Sequence, residues 1–314
     1  RPYLQRASGH LRPGHRANDG GPAPWRGRFA CVGPSFHCPA GEWCEDGTVT
    51  AENASALVRC TDLTLFRLAP NPGPMSLDGT NSYLIAAAGH PGAAVVDPGP
   101  LDEKHLQELA LATGPVELIL ITHRHADHTA GSARLHELTG APVRAADPRH
   151  CIGAPPLQPG EVISAAGTEV RVVATPGHTS DSVCFHLPLD GPAGSVLTGD
   201  TILGRGTTVL DHPDGRLGDY LASLDRLEIL GPATVLPAHG PVLPALDAVV
   251  RAYRSHRLDR LSQIRAALAQ LGPDAGVPEV ADIVYADVDA SVRRAAENSV
   301  AAQLDYLRSL REPA

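Results

Sequence analysis

The chain has 314 residues, of which 43% are hydrophobic and 19% are charged, and its formal net charge is −9. A chain of this length can bury a full core and forms one large domain or two. The negative charge gives no overall attraction to nucleic acid or to an anionic membrane, so either partner would need a local basic patch. No run approaches the roughly 20 apolar residues of a membrane helix, and no secretory signal is recognised. We therefore expect a cytoplasmic protein without a membrane partner.

Residues 1–60 differ in composition from the rest of the chain. They are rich in Gly, Pro and Arg and show neither helical nor strand periodicity, which predicts disorder or an extension unrelated to the fold. With His37, four of the six cysteines offer ligands for a structural zinc, but their spacing lacks the close pairs typical of such sites; they are Cys31, Cys38, Cys44 and Cys60. Cys151 and Cys184 are predicted to be small apolar core residues.

Short apolar runs separated by Gly and Pro begin at Leu63 and predict a series of strands. The predicted strands are 63–68, 81–88, 93–99, 116–121, 142–146, 169–179, 182–187, 195–200 and 233–240. Helical spacing predicts helices over 102–114, 129–140 and 217–230, the second with Thr129 as a possible N-cap. Strands and helices therefore interleave over 61–243, and polar residues gather where the strands end.

Residues 244–314 are predicted to form a small appended helical domain. The apolar spacing supports one long helix over 246–272, stopped by Gly272 and Pro273, and two or three shorter helices after it. Five arginines and one aspartate lie in "RAYRSHRLDRLSQIR", residues 251–265. They could contact phosphates, or they could form an ordinary solvated face.

A dense cluster of metal-ligand residue types lies directly after the strand 116–121, in "THRHADH". His123 and His125 are two residues apart, so in extended chain they point the same way, and Asp127 and His128 follow in a turn. Single candidates recur at later strand ends, each beside Gly or Pro: His178 in "TPGHT", Asp200 in "LTGD" and His239 in "PAHG". Five histidines and two carboxylates match the ligands of zinc, iron or manganese.

A structural role for these histidines is the alternative. It suits isolated residues such as His136, on a predicted helix, and His186, in a predicted strand. Three imidazoles and a carboxylate this close together, however, would repel one another when protonated and would cost desolvation when buried. A bound metal removes both problems, so the cluster is predicted to bind metal.

The ordered set of motifs resembles the metallo-β-lactamase-fold superfamily from Leu63 to about Leu243. The resemblance implies an α+β fold, an αββα sandwich of two mixed sheets with helices outside and metals at one edge. It implies two Zn²⁺ ions, with iron or manganese as alternatives. The first site would comprise His123, His125 and His178, the second would comprise Asp127, His128 and His239, and Asp200 would bridge both.

Asp200 narrows the set of subfamilies that the chain resembles. True β-lactamases of the common dizinc subclass have a cysteine at this position, so we expect no significant β-lactam hydrolysis. The pattern with Asp is similar to that of hydroxyacylglutathione hydrolases, tRNA-processing nucleases and persulfide dioxygenases.

The segment "LAPNPGPMSLDGTNSYLI" and the helical C-terminal region resemble the β-lactamase-like-protein-2 group. That resemblance implies a winged-helix-like C-terminal domain and, from the group's animal members, endoribonuclease activity on single-stranded RNA. It also implies that "DGTN", residues 78–81, lies in a loop near the site, although turn formation alone would explain its composition.

The expected function is therefore hydrolysis by a metal-bridging hydroxide, acting on a phosphodiester of single-stranded RNA or on a small-molecule thioester or ester. The alternatives are a hydroxyacylglutathione-hydrolase-type thioesterase, a mononuclear-iron persulfide dioxygenase and a non-catalytic metal-binding protein. Asp127 is assigned a second role, orienting the hydroxide. No clear acid for the leaving group is found: His212, in "LDHPDG", is a weak candidate that is better explained as a surface loop residue.

Overall fold

The computed structural model describes residues 56–286 and 292–310, all of which lie in the second of two units into which the chain divides, Asp46–Ala314. The strands are β1 (Val58–Arg59), β2 (Thr64–Leu68), β3 (Asn81–Ile85), β4 (Ala93–Val96), β5 (Val116–Leu120), β6 (Val143–Arg144), β7 (Val162–Ala165), β8 (Thr168–Ala174), β9 (Val183–Leu187), β10 (Ser195–Gly199) and β11 (Thr234–Pro237). The helices are α1 (Glu103–Leu111), α2 (Ala126–Thr129), α3 (Ser132–Thr139), α4 (Leu217–Glu228), α5 (Leu246–Leu271), α6 (Val277–Val284) and α7 (Arg293–Ser309), with a 3-10 turn at Pro148–His150.

The first sheet has six strands in the order β1-β2-β3-β4-β5-β6. Strands β1 to β4 pair antiparallel, while β4, β5 and β6 pair parallel. Every residue of β3 is buried because successive side chains face opposite layers. Tyr83 and Ile85 pack toward the second sheet, whereas Leu84 packs among Leu106 and Leu109 of α1.

The second sheet has five strands in the order β11-β10-β9-β8-β7, and only β10 and β11 are parallel. One face contributes Val172, Phe185 and Leu197 to the core between the sheets. The other face contributes Val196 and Val235 to a core with the helices α4 to α7. Two mixed sheets face to face with helices outside confirm the αββα sandwich.

The C-terminal helices pack on the second sheet through that same core. Buried residues of α5 recur every three or four positions and include Leu246, Val250, Leu261 and Ile264, which is the spacing of one helix face. Over 246–286 and 292–310 the structure is helical and includes no strand. The predicted helical region is present, but the winged-helix form is not confirmed.

Several predicted boundaries were wrong. The first sheet begins with β1 at Val58–Arg59, inside the segment expected to precede the fold. Residues 129–140 form not one helix but the end of α2 and then α3, so Thr129 ends a helix rather than capping one; Gly131 precedes α3. The rest of the extension, residues 1–55, lies outside the described residues, as do Cys31, His37, Cys38 and Cys44.

The strand β7 was missed entirely. It forms a hairpin with β8 through the two-residue turn Ala166-Gly167, where both residues have positive φ, 52° and 74°. Such a turn normally carries Asn-Gly or Asp-Gly, so the sequence lacked the usual signal.

Two cysteines behave as expected. Cys184 is buried in the core beneath α4 to α7, and Cys151 packs against the core that α1 shares with the first sheet. Among the described residues, no helix combines the length and the apolar character needed to cross a membrane.

Candidate metal centre

Strand ends from both sheets deliver polar side chains to one edge of the sandwich. The cluster of seven comprises His123, His125, Asp127 and His128, which follow β5, and His178, Asp200 and His239, which follow β8, β10 and β11. The structure therefore brings together all seven residues proposed from the sequence. Three subsets of three residues place their potential ligand atoms within 4.8 Å of one another. The first comprises His123, His125 and His178, the second comprises Asp127, His128 and His239, and the third comprises His123, His128 and Asp200.

The first subset contains only imidazoles. His125 Nδ1 lies 3.0 Å from His123 Nε2 and 3.1 Å from His178 Nε2. Burial lowers the pKa of His123 well below its ordinary value, and the neighbouring histidines lower it further; burial also lowers the pKa of His178. Neutral imidazoles present free lone pairs, which is the form that binds a metal.

The second subset combines imidazole with carboxylate. His239 Nε2 lies 3.3 Å from Asp127 Oδ2, and His128 Nε2 lies 3.6 Å from the same oxygen. Asp200 connects the subsets: its Oδ1 lies 3.3 Å from His239 Nε2, and its Oδ2 lies 3.7 Å from His178 Nε2. One carboxylate thus faces both groups of histidines.

The cluster leaves buried polar atoms without a partner in the part of the chain that the structure describes. His128 Nε2, His239 Nε2 and Asp200 Oδ1 are buried and make no hydrogen bond there. Each such atom costs about 1–3 kcal/mol if it stays unsatisfied. A cation bound between them would satisfy all three, so the donor set fits two divalent metal ions with nitrogen and oxygen ligands.

The electrostatics favour positive charge in the second subset. Burial alone would lower the pKa of His128, but the carboxylates of Asp97, Asp200 and Asp127 raise it to about 10. Burial would raise the pKa of Asp127, yet the adjacent His239 imidazole and the charge of His128 lower it. This pocket of carboxylates attracts a cation, either a proton or a metal ion.

Outer hydrogen bonds hold the imidazoles in one orientation. Asp97 Oδ2 lies 2.9 Å from His128 Nδ1, and the same carboxylate accepts from the backbone N–H and the hydroxyl of Thr122. The Nδ1 atoms of His178 and His239 lie 2.6 Å and 3.0 Å from the carbonyl oxygens of Val209 and Gly79. These acceptors place the proton on Nδ1 and leave Nε2 free toward the centre.

His125 is turned the other way, with Nδ1 toward the centre. Its Nε2 lies 3.2 Å from Asp211 Oδ2, and Arg124 forms ion pairs with Asp211 and Asp214. Asp214 in turn accepts from the backbone N–H and the hydroxyl of Ser180, both at 2.7 Å. This network is not predicted from the sequence, where only the position of Arg124 between two ligand candidates could have indicated it.

The loop "DGTN" lies against the centre, as its resemblance implied. Gly79 supplies the carbonyl oxygen for His239 and has φ of 134°, and a Cβ there would collide with the carbonyl oxygen of Ala69. Thr80 donates from its hydroxyl to the carbonyl oxygen of Asp127, at 3.0 Å. Only glycine fits the first of these positions.

His212, the weak candidate for a leaving-group acid, is engaged elsewhere. Its Nε2 lies 2.6 Å from Asp305 Oδ2 on α7. It does not belong to the cluster of seven. His136 has the structural role expected of it, with Nδ1 2.8 Å from the carbonyl oxygen of Ala141.

Most arginines of α5 contact acids, carbonyl oxygens or aromatic rings of the protein itself. Arg251 pairs with Asp247 and Glu228, and Arg254 pairs with Asp225. The buried Arg257 donates to the carbonyl oxygen of Thr208 and stacks on Tyr220. Arg260 donates to the carbonyl oxygen of Val284 and lies over the ring of Tyr285. These contacts disfavour the interpretation of 251–265 as a phosphate-binding face.

A small pocket of about 150 Å³ opens beside the cluster. His178 and Asp200 line it, together with a largely apolar wall that includes Pro74, Met75, Leu77, Leu203 and Val209. Within the part of the chain that the structure describes, Arg205 is the one lining residue with a cationic side chain. On α5, the Tyr253 hydroxyl accepts from the backbone N–H of Leu203 at 2.9 Å and so supports this wall.

Comparison with known proteins agrees with this geometry. The family model described as Metallo-beta-lactamase superfamily matches residues 75–239. The chain is similar to Lactamase-like protein vrtG of Penicillium aethiopicum, with 35% identity over 245 residues that cover 74% of this chain and 76% of that protein. It is also similar to the Beta-lactamase-like protein 2 homolog of Caenorhabditis elegans, with 31% identity over 250 residues, 74% of this chain and 80% of that protein.

The chain is also similar to a thioesterase and to a solved structure. Atrochrysone carboxyl ACP thioesterase AacuM of Aspergillus aculeatus is 27% identical over 226 residues, 70% of this chain and 70% of that protein. The crystal structure of a metallo-beta-lactamase family protein from Thermus thermophilus superposes with a TM-score of 0.64 at 26% identity. The match covers 79% of this chain and 93% of that one.

Proposed function

This chain belongs to the metallo-β-lactamase superfamily, and from that premise we propose that it is a metal-dependent hydrolase of thioesters. The pocket beside His178 and Asp200 is the observation on which the substrate class depends. Its wall is apolar, as an acyl chain requires. A phosphodiester of RNA would instead need several cationic contacts, whereas the described residues that line the pocket include one arginine.

The metal ions would be held by the cluster of seven, with His123, His125 and His178 on one side and Asp127, His128 and His239 on the other. When bound, two divalent ions supply Lewis acidity, which polarises the acyl oxygen and lowers the pKa of water from about 15.7 to about 7. Asp200 faces both groups of ligand residues and would connect the two sites.

Asp127 is suited to orient the attacking water. Its side chain is 32% exposed, whereas the side chains of His128 and His239 are fully buried, so of these three residues only Asp127 is accessible to water. Its lowered pKa keeps the carboxylate ionised at neutral pH. Asp127 Oδ2 can therefore accept a hydrogen bond from water and fix its direction of attack.

A thiol leaving group also fits the residues available. A thiol has a pKa near 8.5 and departs as thiolate without an acid, whereas an alkoxide, closer to water at about 15.7, benefits from protonation. His212, the acid suggested by the sequence, is paired with Asp305. The thioesterase AacuM among the relatives supports the same substrate class.

The test is an activity panel on the zinc-loaded protein. We expect hydrolysis of S-pentanoyl-N-acetylcysteamine and little cleavage of single-stranded RNA or of a β-lactam. Asp127→Asn should reduce thioester turnover by about 10² or more, while Asp219→Asn, an exposed acid on α4, should leave it unchanged. Cleavage of RNA without thioester hydrolysis would overturn the substrate class.

Metal analysis tests the reaction class independently. The proposal expects two metal ions per chain and no oxygen consumption during turnover. One iron per chain with uptake of oxygen would favour the dioxygenase alternative, and full turnover by Asp127→Asn would show that its assigned role is wrong.

A further inference from the structure

Of the described residues that line the pocket with His178 and Asp200, Arg205 is the one with a cationic side chain. Its neighbours in the lining are mostly apolar, and the carboxylate of Asp200 faces the histidines of the cluster. A guanidinium in such a place provides up to five donors in a fixed plane, a geometry that matches carboxylate oxygens.

The partner of Arg205 comes from the opposite loop. Arg205 lies 2.7 Å from Asp78 Oδ2, and the two side chains are 48% and 44% exposed. An exposed ion pair of this kind contributes little net stability. A second carboxylate can therefore replace Asp78 at small cost, which makes Asp78 a competitor for the same donors.

The size of the pocket limits where that second carboxylate can be. A cavity of about 150 Å³ accommodates a molecule of roughly the size of benzene. An anionic group at the far end of a long thiol carrier would lie outside this pocket. A carboxylate at the far end of a short acyl chain would lie within it, beside Arg205, while the thioester carbon is next to the metal ligands.

We propose that Arg205 is a specificity-determining residue for thioesters of short dicarboxylic acids, with the free carboxylate of the acyl chain paired to its guanidinium. The inference rests on the proposed thioester hydrolysis and adds the class of acyl group. In the reaction, water adds its oxygen to the acyl carbon, the carbon–sulfur bond breaks, and the thiol takes up a proton. The free carboxylate is unchanged, and the products are a dicarboxylic acid and a thiol.

The test compares two thioesters that differ in one group. S-glutaryl-N-acetylcysteamine and S-pentanoyl-N-acetylcysteamine have five-carbon acyl chains, and only the first ends in a carboxylate. The wild type should hydrolyse the glutaryl thioester with the higher kcat/KM. Arg205→Gln should lower kcat/KM for that substrate about 10-fold or more through KM, with less than about a twofold change for the pentanoyl thioester.

The Asp78→Asn variant distinguishes two roles of Arg205: recognition of the substrate carboxylate, and an ion pair that only connects the two loops. If Asp78 competes with the substrate, its neutralisation should lower KM for the glutaryl thioester and leave the pentanoyl thioester unchanged. If the ion pair merely holds the two loops together, both variants will impair both substrates equally, and that result would overturn the proposal. Arg251→Gln, an exposed and paired arginine on α5, is the matched control and should change neither.

Product binding gives a measurement that does not depend on turnover. Glutarate should bind the zinc-loaded wild type about 10-fold more tightly than pentanoate, and Arg205→Gln should remove the difference. Hydrolysis of both thioesters with equal kcat/KM would refute the role of Arg205 while the proposed function stands. Absence of hydrolysis together with Arg205-dependent glutarate binding would refute the thioesterase function but retain the carboxylate site.

Discussion

At the scale of single residues, Asp211 orients a member of the cluster from outside it. Its carboxylate lies 3.2 Å from His125 Nε2 and is itself paired with Arg124. This contact places the proton on Nε2 and leaves Nδ1 as the free nitrogen toward His123 and His178. The affinity of the first site for a metal would therefore depend on a side chain that is not itself a ligand.

We expect Asp211→Ala to lower zinc affinity at one of the two sites by about 10- to 100-fold, because loss of such an outer partner releases the imidazole. Competition with a chromophoric chelator measures both affinities. Asp219→Ala on α4 is the control and should leave both affinities unchanged. Equal weakening of the two sites by Asp211→Ala would indicate a general structural effect instead.

His105 on α1 couples stability to pH. Burial, together with the positive charge of Arg67, lowers its pKa from 6.5 to about 4, and its Nε2 lies 3.0 Å from the Ser82 hydroxyl. Between these two values the unfolded chain binds a proton that the folded chain does not. The stability of the folded protein is therefore complete above about pH 6.5 and falls as the pH decreases toward 4.

In a chelated, metal-free sample, the free energy of unfolding of His105→Gln should fall less steeply between pH 6.5 and pH 4 than that of the wild type. The gap between the two pKa values corresponds to about 3 kcal/mol, which is the largest difference expected. Urea denaturation at several pH values measures it. Parallel curves for the two proteins would contradict the assignment.

At the scale of elements, α5 links the helical layer to the metal centre. Tyr253 and Arg257 hold the loop that carries Leu203 and Thr208, and the adjacent carbonyl of Val209 accepts from His178. Ile264, on the same helix, is fully buried in the core shared with the second sheet. These contacts predict that the helices unfold together with the sheets.

Ile264→Ala should destabilise the protein by about 2–5 kcal/mol, the usual cost of a large buried aliphatic truncation. The unfolding of helices, followed by circular dichroism, and the release of zinc should shift together to lower urea concentration. If α5 to α7 formed an independent domain, part of the helical signal would shift while zinc release stayed at its wild-type midpoint.

At the scale of the whole molecule, the metal centre joins strand ends from both sheets. Its seven residues follow β5, β8, β10 and β11, so bound metal would cross-link the two layers of the sandwich. A metal that binds only the folded protein stabilises it by about 2.7 kcal/mol per site at 100 times its Kd.

Chelation of the metal should therefore lower Tm by at least about 5 °C, given about 2–4 °C per kcal/mol for a unit of this size. Differential scanning calorimetry with and without a chelator measures the shift. Asp200→Asn replaces the carboxylate that faces both groups of histidines with a neutral amide. The Tm of this variant should therefore respond less to zinc. An unchanged Tm after complete removal of zinc would contradict the cross-link.

Much of the fold could be predicted because its signals are local. Short apolar runs mark buried strands such as β3, β4 and β10, and helical spacing marks α1, α4 and α5, so both can be recognised in short windows of sequence. The strand β7 and the break between α2 and α3 could not be predicted, since Ala166 adopts positive φ without the usual turn residues and a single glycine such as Gly131 is compatible with a continuous helical pattern. At both places tertiary contacts, rather than local preference, determine the backbone.

All seven members of the cluster could be predicted from local sequence, because histidines and carboxylates concentrated at strand ends have few structural uses. The side chains that surround them could be identified only from the folded chain. Asp97, Asp211 and Arg205 are distant in sequence from the side chains they contact, and no periodicity relates residues separated by such long segments. The commitment of the α5 arginines to internal partners was likewise invisible until the acids and carbonyls around them were located, because charge in a sequence does not specify its counterion.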